Sequence, residues 1–183
     1  IAKQFHLPLQ SGSDRILELM NRKYNRDRYL DLVEYMRLKI PDITITTDII
    51  VGFPGETEED FEMTLDMLSR VQYDNIFSFI YSKRKGTPAE KMSSQVPDDV
   101  KKERFERLIE LQNGISRRKN EEYIGKTIRV LVEGRSKTDD SKLTGRNEKN
   151  RLVHFEGGDS LIGGYADVTV ESVQPHALFG RLV

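Results

Sequence analysis

The apolar positions change period once along the chain. Helical spacing alternating with short continuous runs fills the first two thirds, and strict alternation fills the last third. Phe5, Leu7 and Leu9 alternate between Gln4 and Gln10, which predicts a short strand. Ser13 or Asp14 then caps a helix carrying Ile16, Leu17 and Met20. A second helix is expected over residues 26–40, with Tyr29, Leu32, Val33 and Met36 on one face and Pro41 ending it. The β-branched run from Ile43 to Val51 predicts the next strand. Thr57-Glu58-Glu59-Asp60 makes a capping box with Asp in place of the usual Glu or Gln, and the helix it opens turns Phe61, Leu65, Leu68 and Val71 inward. Asn75 to Tyr81 reads as a third strand. Strand, helix, strand, helix, strand implies parallel pairing in an α/β layer.

Lys83 to Val96 is a polar loop, after which Pro97, Asp98 and Asp99 open a long helix that reaches about Tyr123. Gly125 breaks that pattern. From Lys126 onward Ile128, Val130 and Val132 alternate, as do Val153 and Phe155. Val168, Val170 and Val173 follow, then Leu178 and Leu182, with glycines between the runs. Several short strands in so few residues predict a small all-β barrel. Two domains are expected, 1–123 and 124–183.

Bulk composition narrows the picture. No apolar run approaches a membrane span, and there is no signal-peptide pattern, so the chain is expected in the cytoplasm. The formal net charge is -1, so nucleic acid can be held only by a local patch. The chain has 0 cysteines, which excludes disulfides, thiolate zinc sites and cysteine-held iron–sulfur clusters within it. It begins at Ile1, almost inside a strand-like run, so it is expected to be part of a longer protein.

The candidate chemistry gathers at strand ends, because ligands of parallel α/β sheets lie at the carboxyl edge. In "TDIIVGFPGET" a buried strand stops at two glycines and a proline. Gln10 and Asp48 suit ribose hydroxyls. Gly52 and Gly55 remove side chains, so that a flat ring can pack beside Ile50 and Phe53, and Arg22 can pair with a carboxylate bidentately. Together these describe a nucleoside carrying an acidic group. The same residues serve equally as a tight turn, a capping carboxylate and a surface ion pair. The pattern is neither G-x-G-x-x-G nor a P-loop.

A second candidate is the run 135–151, where six cationic side chains (Arg135, Lys137, Lys142, Arg146, Lys149, Arg151) face three acidic ones, a local charge of +3. Asn147 and Asn150 add groups that meet base edges or 2′-hydroxyls, and Thr144-Gly145-Arg146 suggests a turn close to phosphate. A solvated charged loop has the same composition. Phe155, which alternates with Val153, is expected in the core. His6, His154 and His176 are scattered and make no metal set, with His6 nearest the candidate pocket.

"HLPLQSGSDRILELMNRKY", "TDIIVGFPGETEEDF" and "FSFIYSKRKGTPA" resemble the second half of a radical S-adenosylmethionine barrel. "VLVEGRSKTDDSKLTGRNEKNRLVHFEG" resembles the TRAM domain of the MiaB-type tRNA methylthiotransferases. The resemblance implies an α/β fold, part of a (β/α) barrel followed by a small β-barrel. It implies that Gln10 touches the ribose of S-adenosylmethionine, that Arg22 pairs with its carboxylate and that Asp48 contacts its ribose. Ile50, Val51 and Gly52 would then lie near adenine, Phe79 and Tyr81 near cofactor or substrate, and Ser11 and Ser13 would be hydrogen-bonding neighbours. It further implies two 4Fe–4S clusters whose ligands are absent from this chain, a tRNA anticodon stem-loop as partner, the remainder of the enzyme upstream, and an electron donor and sulfur source that the sequence does not name. The implied reaction is methylthiolation of C2 of N6-isopentenyladenosine at position 37, with this chain inactive by itself. Alternatives are a paralogue acting on threonylcarbamoyladenosine tRNA or on a ribosomal-protein aspartate, and a non-catalytic RNA-binding module.

Overall fold

The computed structural model describes residues 3–137 and 139–183. The chain divides into two compact units, Phe5–Gln112 and Asn113–Val183, the latter joined by the first residues of the chain.

The first unit is built on a three-stranded sheet in the order β1 (Gln4–His6), β2 (Thr44–Val51), β3 (Asn75–Ile80). β2 and β3 run parallel, with Asp48 beside Phe77 and Ile50 beside Phe79. The helices are α1 (Asp14–Leu19), α2 (Arg26–Lys39), α3 (Glu58–Val71) and α4 (Asp98–Glu121), with a 3-10 turn at Pro88–Lys91 in the polar connection. Each of the first three starts on a side-chain cap, from Ser13, Asn25 and Thr57, and the Thr57–Asp60 capping box is formed in both directions. Ile45, Ile49, Val51, Ile16, Leu17, Phe61, Leu68 and Val71 form the buried layer.

Three sequence expectations shift. The strand expected over Gln4–Gln10 is regular only to His6. Pro8 has no N–H to give the ladder, Leu9 N–H goes to the Thr47 hydroxyl, and Gln10 turns left-handed at φ 71 before pairing resumes with Ile49. Leu32, expected inward, is 43% exposed, because the buried stripe of α2 follows Tyr29, Val33 and Met36. On α3 the interior is taken by Thr64 and Met67, while Leu65 is only half-buried.

The second unit contains the closed five-stranded barrel β4 (Thr127–Arg135), β5 (Lys142–Asn147), β6 (Leu152–Glu156), β7 (Tyr165–Gln174) and β8 (Ala177–Leu182), in the order β4-β5-β6-β8-β7. Closure leaves no free sheet edge. Val130, Val132, Leu143, Val153, Phe155, Val168, Val170 and Leu178 fill it, and Leu182 lies outside. The turn expected at Thr144-Gly145-Arg146 is mid-strand. Gly145 is there because a Cβ would lie 2.2 Å from the Leu131 carbonyl oxygen, too close for any side chain. The basic run is therefore a strand with a turn at each end.

Phe155→Ala should cost about 3–5 kcal/mol of unfolding free energy in a denaturant titration, whereas Leu32→Ala should cost well under about 1 kcal/mol.

Candidate functional site

One face of the three-stranded sheet is open. Along β2, Asp48 and Ile50 are half-exposed and alternate with Ile49 and Val51, which are fully buried against the helices. The β2–β3 register puts Phe77 and Phe79, 49% and 55% exposed, on the same open face. His6 completes it from β1. Its Nε2 lies 3.4 Å from Asp48 Oδ1, its Nδ1 lies 3.0 Å from the Thr46 hydroxyl, and its ring meets Phe77 edge-on at 5.6 Å. The Gln10 amide reaches Asp48 Oδ2 at 3.5 Å. Gln10, Asp48, Ile50 and Phe79 are thus brought together, while Val51 offers only backbone to that face. Tyr81 continues β3, with its ring edge-on to Phe53 and its buried hydroxyl without a hydrogen-bond partner.

Two loops rim this face, and both are tied to the rest of the unit. After β1, Ser11 is buried and its hydroxyl accepts from Ser13 N–H. The Ser13 hydroxyl donates to Asp60 Oδ1 at 2.6 Å. Arg15 and the Thr57 N–H also donate to Asp60. Burial by itself would raise the Asp60 carboxyl, but the hydrogen bonds from Arg15, Ser13 and Thr57 outweigh it and hold it at about 2. Gly12 lies so close to α3 that a Cβ would fall 2.4 Å from the Met63 carbonyl oxygen. Tyr24 donates to the carbonyls of Pro8 and Leu9, which brings the segment carrying Arg22 back to the loop. The Arg22 side chain is exposed and makes no hydrogen bond or ion pair among the described residues.

The second loop is Gly52-Phe53-Pro54-Gly55. Gly52 takes φ +75, and a Cβ there would meet the buried stem of Lys101 at 2.3 Å. Gly52 N–H donates to Glu56 Oε1 at 2.9 Å, and Arg104 donates to the same oxygen at 3.0 Å. Burial pushes the Glu56 carboxyl up to about 7, against the lowering pull of Gly52 and Arg104.

On the barrel, Arg135 donates to the Asp140 carbonyl and pairs with Asp159 at 2.8 Å, and Lys142 pairs with Asp139 at 2.8 Å. Arg146 lies 3.4 Å from Glu133 and donates to the Asn150 carbonyl. Asn147 is buried, and its side-chain oxygen accepts from the N–H groups of Lys149 and Arg151, so it shapes the turn. Asn150 holds the left-handed position of that turn at φ 59. Arg151 donates to Asn120 Oδ1 at 2.6 Å and lies over the Tyr123 ring. Lys137 is exposed. Sequence reasoning set His6 nearest the candidate pocket without giving it a partner, and it passed over Phe77 in the first unit. Only the β2–β3 register reveals Phe77, and only the folded pairing brings His6 to Asp48.

Residues 2–68 match the radical SAM superfamily, and residues 121–183 match the TRAM domain. These two matches fall on the segments whose motifs resemble the same two families. Over 183 residues it is 55% identical to the tRNA-2-methylthio-N(6)-dimethylallyladenosine synthase of Acetivibrio thermocellus, covering 100% of this chain and 38% of that protein. It is 53% identical to the protein of the same name from Clostridium perfringens, covering 41% of it. The chain thus spans about two fifths of the length of these relatives. Among solved structures it shares its fold with coproporphyrinogen III oxidase from Escherichia coli, a radical SAM enzyme. The TM-score is 0.54 at 14% identity over 91% of this chain and 41% of that one. No helix among the described residues is long and apolar enough to cross a membrane.

Because the Asp60 carboxyl is held below its ordinary 3.8, it stabilises the folded state fully above that pH and loses the contribution as pH falls toward 2. Asp60→Asn should abolish this acid limb, about 2 kcal/mol, in unfolding curves taken from pH 5 down to about pH 2.

Proposed function

We propose that this chain is the part of a cytoplasmic tRNA methylthiotransferase that binds S-adenosylmethionine on its α/β unit and the tRNA anticodon stem-loop on its barrel. The whole protein would place a methylthio group on C2 of N6-isopentenyladenosine at position 37. The observation that carries this reading is the identity to proteins of that name along the entire chain, both domains included. The names of these relatives favour the isopentenyl substrate over the threonylcarbamoyl and ribosomal-protein alternatives.

The residues present fit S-adenosylmethionine. Arg22, without an internal ion pair, offers a bidentate fork to the methionine carboxylate. Gln10 and Asp48 offer an amide and a carboxylate to the ribose diol, and His6 with Thr46 holds the Asp48 side chain. The unpartnered Tyr81 hydroxyl lies at the same edge of the sheet as Ile50, whereas the missing side chain of Gly52 makes room for the Lys101 stem and not for a flat ring. Ser11 and Ser13 act through the loop, since the Ser11 hydroxyl accepts from Ser13 N–H and the Ser13 hydroxyl ties the loop to Asp60 of α3. When bound and reduced by an electron from outside this chain, S-adenosylmethionine would supply the radical that takes the C2 hydrogen, and a second equivalent would supply the methyl group. The chain's residues do not fit an iron–sulfur cluster. It has 0 cysteines, and the described residues hold no cluster of metal-ligating side chains. The chain by itself is proposed to be inactive.

The barrel would meet RNA through its basic turns. Arg135, Lys137, Lys142, Arg146 and Lys149 are the side chains proposed to reach phosphates, with the surface ion pairs of Arg135, Lys142 and Arg146 giving way to them.

Equilibrium dialysis tests the cofactor half. The wild-type chain should bind S-adenosylmethionine, and Arg22→Ala should weaken binding at least about tenfold without changing the thermal midpoint. An RNA-binding module with an idle α/β scaffold would show no binding at all. For the RNA half, affinity for an anticodon stem-loop bearing isopentenyladenosine should fall with salt at a log–log slope of about -3.5, for about five phosphate contacts. Absence of binding at low salt would remove tRNA from the reading.

A further inference from the structure

Outside the turns just described, the barrel carries a group of exposed side chains that its core does not need. On β4, Arg129, Leu131 and Glu133 face outward and alternate with the buried Val130 and Val132. The strand register sets Arg146 of β5 on one side of Leu131 and Tyr165 of β7 on the other. Leu131 is 40% exposed and Tyr165 62% exposed. The Arg129 guanidinium lies over the Tyr165 ring, 4.5 Å from its centroid, and makes no ion pair among the described residues. Its N–H donors are therefore free although its plane is fixed.

We propose that this outer face of β5–β4–β7 is a binding platform for an unstacked nucleobase of RNA. The Tyr165–Arg129 stack takes the face of the base, Leu131 lies beneath its edge, and Arg146 reaches the adjoining phosphate. The proposal rests on the reading of the barrel as a tRNA-binding unit and names where on it a base is recognised.

Three physical points carry it. Exposed aromatic rings and arginine planes on a β surface are what splayed bases stack on. The cation–π contact fixes both groups in one orientation, so little side-chain freedom is left to lose on binding. The row from Arg146 to Tyr165 crosses two strand spacings, about 10 Å, which is room for a base and its own phosphate. Asp167 lies opposite Arg129 in the register, and Glu133 is 3.4 Å from Arg146. The platform is therefore close to electrically neutral. Stacking rather than phosphate attraction supplies its affinity, and that distinguishes it from the basic turns.

The test is fluorescence anisotropy of the 183-residue chain with the labelled anticodon stem-loop, repeated with 2-aminopurine at each unpaired loop position. Tyr165→Ala should weaken binding by between about 5-fold and 150-fold with the salt slope unchanged. Tyr165→Leu, which keeps apolar bulk without a flat ring, should give the same loss, and Tyr165→Phe should stay within about twofold of wild type. Arg146→Ala should instead reduce the slope by about 0.7. One loop position should show 2-aminopurine quenching with wild type and not with Tyr165→Ala. Tyr165 is exposed, so circular dichroism and the thermal midpoint should not move. If wild type binds the RNA and Tyr165→Ala and Tyr165→Leu bind it equally well, the platform is wrong and the patch is free for a protein partner. If wild type itself does not bind, the tRNA reading falls and the platform with it.

Discussion

The candidate cofactor pocket depends on two buried carboxylates that convert chain direction into loop position. Asp60 accepts from Ser13, Arg15 and Thr57 at once, so the loop after the first strand and the start of α3 cannot move independently. Glu56 does the same for the next loop, with the Gly52 N–H on one side and Arg104 on the other. The two carboxyls respond to burial differently. Asp60 gathers enough donors to stay ionised deep into acid, while burial dominates at Glu56 and lifts its carboxyl toward neutrality. Removing one partner of such a buried group leaves the other unsatisfied, so these loops are held more tightly than surface connections of their length.

That fixation bears on chemistry because the groups assigned to the ligand are otherwise weakly held. Asp48 and Gln10 share a long 3.5 Å contact, and Arg22 has no internal partner. Such groups keep their hydrogen-bonding capacity for something outside the chain. The rigid loops set where they stand. The barrel divides its labour similarly. Asn147 spends its amide oxygen shaping a turn and Arg151 its guanidinium on Asn120, while Lys137, Arg129 and Tyr165 remain presented to solvent.

Much of this was legible in residue order. The capping box at Thr57, the parallel α/β alternation and the barrel strands follow from local rules that need only a few neighbouring residues. Gln10, Asp48 and Gly52 stood out as candidates because a ligand site is expected toward the carboxyl edge of a parallel sheet. The contact of His6 with Asp48 was not legible, since it spans 42 positions and depends on β1 lying beside β2. The Arg129–Tyr165 stack was hidden for the same reason, because alternation marks both residues as outward but cannot say which outward residues share a row.

Residue order by itself determined most of the elements, the change of apolar period along the chain, the lack of cysteine ligands and the motifs that carry the family resemblance. Periodicity and capping are short-range physics, so they survive without coordinates. Only the tertiary structure decided which glycines yield to a neighbouring backbone, which arginines are spent on internal partners and which side chains face each other across strands. Those outcomes depend on register and on contacts between residues far apart in the chain, where a shift of one position moves a side chain to the opposite face.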